Sequence, residues 1–298
     1  MTPYLSPSAV LTYLRDLNEF YVRYVLGIKN REPQTPAMAI GSCFDAILKA
    51  RISESILGRK YEDVFDQLFT SQVDEKLRSK VLPYGLHCWT EYRESGAFSD
   101  LLLELSIAAA EPRMELEIRE SVMLDNLPVP LLGRPDLYFI CPGGEQVVYD
   151  FKVNGYLGSS ALSPKPGYIV SRVRNKDNDS WIRKPYKNCL IKEVIPGIKT
   201  NVNMLPRFGS SHQDRLIQLV MYAWILGEGI GTETVFGIEQ LTGSGPYGDI
   251  RVSSFRFQVE RSVQIQLRDL IREIWTGNIN LSEEMKSALQ DPVFRLMI

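Results

Sequence analysis

Two aspartates and a lysine fall in a stretch whose pattern predicts two strands joined by a tight turn. Asp136 precedes the glycine turn around Gly143, and Asp150 and Lys152 follow it. Residues at equal distances from a hairpin turn pair across it, so Asp136 is predicted to face Asp150 with Cβ atoms roughly 5 Å apart. Because side chains alternate across a strand, Lys152 points to the same side as Asp150.

Such a group of side chains can bind a small, hard cation. Oxygens of Asp136 and Asp150 can both reach one Mg²⁺ at about 2.0–2.1 Å, and a divalent ion removes the repulsion between the two carboxylates. Lys152 beside the ion can hold a water molecule or neutralise charge that develops on a pentavalent phosphorus. The alternative is that both aspartates face solvent and that Lys152 is an ordinary ion-pair partner.

A later helix adds two polar side chains that need partners. Gln218 and Tyr222 stand four residues apart and therefore share one face, among apolar neighbours that would seat the helix on the sheet. A buried glutamine and a buried tyrosine require hydrogen-bond partners, which a cleft beside the aspartates would supply.

Composition excludes several other kinds of site. The 298-residue chain has two histidines, far apart, and four cysteines without a C-x-x-C pair. Multi-histidine metal centres are thereby excluded, and no zinc ribbon or iron–sulfur cluster is indicated. The chain has no P-loop motif, no signal-peptide pattern and no apolar run long enough to cross a bilayer. We therefore expect a soluble, cytoplasmic protein; a bacterium or a phage-infected cell as its host is implied only by the family resemblance given below.

Hydrophobic periodicity predicts helices first, then strands, then both. Helices are predicted over 9–26 and 38–50 and within 59–110, and a three-stranded antiparallel meander is predicted after Pro112. Its strands lie near 114–119, 129–140 and 146–153, and they are followed by a helix at 212–226, strands at 234–240 and 251–259, and a helix at 263–275. This order indicates a mixed α/β domain with a central sheet.

The segment between the meander and the late helix is strongly basic. Residues 165–215 contain eleven Lys and Arg against four Asp and Glu, although the whole chain has a formal charge of −2. With its interleaved aromatic residues, this composition suits a path for single-stranded nucleic acid. We expect Arg172, Arg174, Arg183 and Lys184 to bind DNA; the alternative is a solvated basic loop packed by its own aromatic residues.

Four short motifs follow one another along the chain. They are Gly41-Ser-Cys-Phe-Asp45, Gly133-Arg-Pro-Asp136, Asp150-Phe-Lys152 and Gln218-Leu-Val-Met-Tyr222. Their types and order resemble the RecB-like branch of the PD-(D/E)XK nuclease superfamily, of the phage and recombination exonuclease type. The resemblance implies a restriction-endonuclease-like α/β core, in which helices flank a central mixed β-sheet, with a helical N-terminal part.

The resemblance also implies metal-dependent cleavage of DNA phosphodiester bonds by an exonuclease. It assigns Asp136 and Asp150 as ligands of Mg²⁺ or Mn²⁺, with the backbone carbonyl of Phe151 completing the site. It assigns Lys152 to assist the attacking water. A structure-specific endonuclease, or an inactive DNA-binding protein on the same fold, is the alternative.

Other positions receive roles from the same resemblance. Gln218 and Tyr222 would support the site or contact the DNA strand. Asp45 takes the place of the family's metal-binding histidine, and a carboxylate suits a hard cation better than imidazole does; otherwise it is a surface residue of its helix. Glu117 is a candidate accessory acid, although Glu115 and Glu117 also fit the polar face of an amphipathic strand.

The expected organisation is one nuclease domain over 1–298. It has a mainly helical part at 1–112, a catalytic core at 113–152 and 212–260, a basic insertion at 153–211 and a C-terminal helical segment at 261–298. DNA, as single strands or duplex ends, is the expected partner, with a single-strand-binding or recombination protein as a further candidate and no membrane. Asp16 stands about where some relatives have the first cysteine of an iron–sulfur cluster, so no cluster is expected.

Overall fold

Helices make up most of the N-terminal part of the protein. The computed structural model describes residues 4–28, 33–115, 117–154, 172–174, 181–183, 211–230, 234–243, 250–257, 259 and 261–277. Within this part of the chain the helices are α1 (Pro7–Arg15), α2 (Leu17–Phe20), a π-helical turn (Tyr21–Val25), α3 (Pro36–Leu57), α4 (Tyr61–Gln72), α5 (Glu75–Glu94), α6 (Ala97–Ser106), α7 (Ser211–Ile225) and α8 (Arg261–Thr276). None of these helices is long and apolar enough to cross a membrane.

The single helix predicted over 9–26 is wrong, because the chain breaks at Asp16. Asp16 has an extended backbone (φ −152°), and its Oδ1 accepts hydrogen bonds from the backbone N–H groups of Asn18 and Glu19 at 2.9 and 3.0 Å. An aspartate that caps the next two donors starts a new helix rather than continuing the old one.

In the described ranges, the strands form one large sheet and two small hairpins. The strands are β1 (Arg113–Met114), β2 (Ile118–Leu124), β3 (Leu127–Gly133), β4 (Leu137–Ile140), β5 (Gln146–Asn154), β6 (Arg172–Arg174), β7 (Trp181–Arg183), β8 (Val235–Gly243) and β9 (Ile250–Phe257). The five-stranded sheet has the order β1-β4-β5-β8-β9, in which only β5 and β8 are parallel. The predicted mixed α/β fold with a helical N-terminal part is confirmed, and it is consistent with a restriction-endonuclease-like architecture.

The predicted three-stranded meander is wrong in its connections. Its first strand divides at Glu115, whose φ of +55° ends β1 before β2 begins. Its second strand divides between Gly133 and Leu137, where Pro135 cannot donate a ladder hydrogen bond. As a result β2 and β3 form a separate hairpin with its turn at Asp125 and Asn126, while β1 and β4 join the large sheet.

Two apolar cores lie on opposite faces of the large sheet. The core on one face includes Tyr138, Val148 and Ile238 together with α7, and the other includes Tyr149 and Phe151 together with α3, α5 and α6. Side chains alternate along β5, so Asp150 belongs to the face that α7 covers.

The basic insertion is described only in part. Strands β6 and β7 pair antiparallel, with Arg172 opposite Arg183 and Arg174 opposite Trp181. Lys184 and the rest of the insertion up to residue 210 lie outside the described residues, as does the C-terminal segment beyond residue 277. The insertion is part of the crossover that links the parallel strands β5 and β8 by way of α7.

Candidate active site

The pairing of β4 with β5 brings the two central aspartates together. Leu137 pairs with Tyr149, so one further step in the same register sets Asp136 opposite Asp150. The backbone N–H of Phe151 donates to Asp136 Oδ2 at 2.9 Å, which holds the side chain of Asp136 against β5.

Asp150 is fully buried, and within the described part of the chain only one of its two oxygens is hydrogen-bonded. Its Oδ1 accepts from Lys152 Nζ at 2.6 Å and from Gln218 Nε2 at 3.1 Å. Its Oδ2 has no hydrogen-bond partner among the described residues. Burial raises the pKa of Asp150 to about 6, with a further increase from Asp136, although Lys152 and Arg215 oppose both effects.

Helix α7 contributes Gln218, which contacts Asp150, and Tyr222, which contacts Gln218. Gln218 also lies 3.0 Å from the hydroxyl of Tyr222, one turn further along the helix. Burial, with help from Asp136, raises the pKa of Tyr222 to about 12, so this side chain is a neutral phenol. The close approach of α7 to β3 depends on Gly133, because a Cβ there would lie 2.7 Å from Tyr222 Cδ1 and from Ile225 Cδ1.

Helix α3 forms the other half of the site through a buried lysine. Lys49 is 1% exposed, and its Nζ lies 2.7 Å from Asp45 Oδ2 and 3.3 Å from Asp136 Oδ1. It also forms an ion pair with Glu115 Oε1. One oxygen from each of these three carboxylates lies within 4.8 Å of the others, so the lysine ammonium sits among oxygens close enough to share one cation.

The electrostatics of this half depend on Lys49. Burial alone would lower the pKa of Lys49, but Asp136, Asp45 and Glu115 raise it well above its ordinary value. Burial raises the pKa of Asp45 to about 7, with contributions from Asp136 and Glu115 that Lys49 partly offsets. Burial would also raise the pKa of Asp136, but Lys49, Lys152 and the Phe151 N–H together hold it below its ordinary value.

The structure brings together most of the residues selected from the sequence. Asp136, Asp150, Lys152, Gln218 and Tyr222 lie in one connected group of contacts, and Asp45 joins it through Lys49.

Glu117 stands apart from this group, because it is half-exposed and pairs with Arg119 at 2.6 Å. The glutamate that reaches the site is Glu115, which also pairs with Arg134. Sequence reasoning missed Lys49 and the role of Glu115. The spacing of Asp45 and Lys49, four residues apart on one helix, is a signal that could have found the lysine.

The donor set suits a divalent metal ion. Its side-chain donors are carboxylate oxygens, which Mg²⁺ and Mn²⁺ prefer. Burying a carboxylate oxygen that has no hydrogen-bond partner costs folding free energy unless a ligand binds it. Asp150 Oδ2 is such an oxygen within the described residues. The residues present therefore fit a bound cation at Asp136 and Asp150.

Comparison with known families agrees with this geometry. The family model of the PD-(D/E)XK nuclease superfamily matches residues 4–162. The chain belongs to this superfamily. The superfamily is named after a sequence motif, and the matching residues in this chain are Pro135-Asp136 and Asp150-Phe-Lys152. Both segments lie inside the matched region. Membership implies a metal-dependent nuclease, a phosphodiester hydrolase with DNA as its substrate.

Other comparisons add little to the superfamily assignment. No curated protein matches the sequence. A solved structure titled "Crystal structure of SSO0001" is 12% identical, covering 88% of this chain and 84% of that chain, with a TM-score of 0.26. A TM-score this low supports no conclusion about a shared fold.

Proposed function

We propose that this PD-(D/E)XK protein is a DNA exonuclease of the RecB-like type, which degrades DNA from its ends in recombination, repair or phage replication. The observation that carries the catalytic part is the pairing of Asp136 with the fully buried Asp150, whose Oδ2 has no hydrogen-bond partner among the described residues. The order of the four sequence motifs supports the RecB-like type.

Asp136 and Asp150 hold the metal ion in this proposal, with the Phe151 carbonyl as a further ligand. The bound ion, Mg²⁺ or Mn²⁺, supplies a Lewis acid for the phosphoryl oxygen and lowers the pKa of a bound water. The Phe151 N–H fixes Asp136 from the backbone, so one residue of β5 both orients a ligand and contributes one.

Lys152 acts next to the scissile phosphate. Its side chain is 34% exposed, whereas its ammonium contacts the buried Asp150, so it can face both the ion and the incoming DNA. In this position it orients the attacking water and neutralises charge that builds on phosphorus. Gln218 fixes Asp150 Oδ1, and Tyr222 fixes Gln218 in turn.

The basic insertion is the proposed DNA surface. It begins directly after β5 and ends at α7, so both of its ends lie next to the catalytic residues. Changing Arg172, Arg174, Arg183 and Lys184 together to alanine should weaken DNA binding and reduce the slope of log affinity against log salt. Unchanged binding across a salt series would contradict this assignment.

The central experiment compares DNA substrates and metal ions. End-labelled linear single- and double-stranded DNA and closed circular DNA are incubated with Mg²⁺, Mn²⁺ or EDTA. The wild-type protein should degrade linear DNA only with a divalent ion, and Asp150→Ala should reduce cleavage to the level seen in EDTA. Asp66→Asn, an exposed change on α4, is the matched control and should cleave as the wild type does.

Each substrate tests a different part of the proposal. Metal-dependent cutting of closed circles would show an endonuclease and would contradict action from ends. DNA binding without cleavage under any metal condition would show an inactive DNA-binding protein on the nuclease fold.

A further inference from the structure

The described site has two positions that suit a cation, and they share Asp136. The first lies among Asp45, Glu115 and Asp136 and holds the Lys49 ammonium. The second lies at Asp136 and Asp150, where Asp150 Oδ2 has no hydrogen-bond partner among the described residues.

The first position has the dimensions of a metal site. Its three carboxylate oxygens lie within 4.8 Å of one another. Two oxygens on opposite sides of one Mg²⁺ ion are about 4 Å apart. With Lys49 absent, these three side chains could therefore close around a divalent ion with little movement.

Lys49 is held firmly in this position. The side chain is 1% exposed and contacts all three carboxylates. Helix α3 around it packs into the apolar core through neighbours such as Ile47, Leu48 and Ile52. A divalent ion that entered the first position would force a buried ammonium out of three ion pairs toward apolar surroundings, which is unfavourable.

We propose that the Lys49 ammonium takes the place of a second divalent ion, so that the protein binds one metal ion, at Asp136 and Asp150. The inference rests on the nuclease function proposed above and specifies which cations neutralise the carboxylates of the site: Lys49 at the first position and one metal ion at the second. Asp45 and Glu115 then act as positioning residues, because they hold Lys49 rather than the metal. Lys49 in turn holds Asp136 Oδ1 in place.

The test counts metal ions. Mn²⁺ binding is measured by equilibrium dialysis and by electron paramagnetic resonance on the full chain, for the wild type, Lys49→Ala and the exposed control Lys80→Ala. The wild type and the control should bind one Mn²⁺ with the six-line spectrum of an isolated ion. Lys49→Ala should bind two, and the exchange-coupled spectrum of a pair bridged by Asp136 should replace the six lines.

Each other outcome contradicts the inference. Two ions in the wild type would mean that metal displaces Lys49 and that Asp45 is a metal ligand. One ion in Lys49→Ala would mean that the vacated carboxylates do not form a site. If Lys49→Ala folds only poorly, it is refolded with Mn²⁺ present; failure to fold even then contradicts the inference, because the second ion should replace the lost ammonium.

Cleavage of linear DNA by the same preparations separates this inference from the proposed function. A wild type that cleaves DNA while it binds two ions overturns the inference and leaves the function standing. A wild type that binds one ion without cleaving DNA overturns the function alone. A wild type that binds no metal overturns both.

Discussion

The two lysines of the site differ in burial and in the number of carboxylates that they contact. Lys49, on the α3 side, is 1% exposed and has three carboxylate partners. Lys152, on the β5 side, is 34% exposed and contacts Asp150, whose second oxygen has no partner among the described residues. Each carboxylate on the α3 side therefore has a cationic partner in the protein alone, whereas the β5 side leaves one buried carboxylate oxygen for a ligand.

This difference shows where binding can change the protein. A region in which every buried charge is paired gains little from a ligand, while a region with a buried, unpartnered oxygen gains much. The metal, the water and the phosphate should therefore meet at Asp150 and Lys152. The side chains on the α3 side should keep the same positions with and without the ligand.

The largest expected effect comes from removing the buried lysine. Lys49→Met should lower the free energy of unfolding of the metal-free protein by about 3–5 kcal/mol, because three carboxylates lose the buried cation that they share. Lys152→Met should lower it by less than this, since that side chain is one-third exposed and Asp150, whose pKa is already raised to about 6, can take up a proton when its partner is lost. Urea unfolding in EDTA measures both, and equal losses would show that the two sides do not differ.

The next prediction is a gain in the free energy of unfolding rather than a loss. The pKa of Asp150 is about 6 in the folded protein against an ordinary 3.8, so the folded state retains a proton between these values that the unfolded chain loses. Above about pH 6 the ionised carboxylate therefore destabilises the metal-free fold, by at most about 3 kcal/mol. Asp150→Asn should raise stability in EDTA at neutral pH, and the gain should disappear below about pH 4.

Urea unfolding at both pH values checks this prediction, with Asp66→Asn as the control that should show no gain. A lower stability of Asp150→Asn at neutral pH would mean that the ion pair with Lys152 outweighs the burial of the carboxylate. The ion pair would then stabilise the β5 side without a ligand, as the ion pairs of Lys49 stabilise the α3 side.

Steric support of the β5 side can be tested at a glycine. Gly133→Ala places a methyl group 2.7 Å from the Tyr222 ring, so it should cost about 1–3 kcal/mol and weaken DNA cleavage by shifting α7. Gly41→Ala is the matched change on the α3 side, where the nearest atom to the new methyl group, outside the backbone of its own helix and among the described residues, is Val153 Cβ at 4.0 Å. It should be neutral or slightly stabilising in thermal unfolding, and a loss as large as that of Gly133→Ala would be inconsistent with the difference between the sides.

The smallest effect concerns a single hydroxyl. Tyr222→Phe should cost about 1 kcal/mol and lower cleavage a few-fold, because Gln218 loses a partner beside Asp150. Tyr149→Phe removes a comparable hydrogen bond, 2.9 Å to Glu104, on the opposite face of β5. It should cost similar stability in a thermal melt without slowing cleavage, and equal slowing by both would remove any special role for Tyr222.

The β4–β5 register could be predicted from the sequence because it depends on local chemistry. A glycine turn fixes which residues pair, and alternation fixes which side chains share a face, so Asp136 and Asp150 could be paired from spacing alone. The division of the first strand could not be predicted, because Met114 and Ile118 continue an apolar alternation straight through Glu115. Nothing in a glutamate indicates a left-handed backbone.

The role of Lys49 is a second limit of sequence reasoning. Its helical spacing from Asp45 is visible, but an i,i+4 pair is usually an exposed surface pair. Burial and the contacts with Glu115 and Asp136 come from residues 66 and 87 positions away in the chain. Only tertiary structure brings these charges together.

The parallel pairing of β5 with β8 has a consequence for how DNA is captured. Parallel neighbours require a long crossover, and here the insertion within that crossover follows β5, which ends two residues after Lys152, and leads into α7, which begins seven residues before Gln218. If the insertion binds DNA as proposed, its cations lie on a chain anchored at both ends near Lys152 and would act at a high effective concentration, whatever the protein's concentration in solution. A DNA strand bound by the insertion would then be held next to Asp150 and Lys152, and a change in the length of the insertion would leave unaltered the strands that carry Asp136 and Asp150.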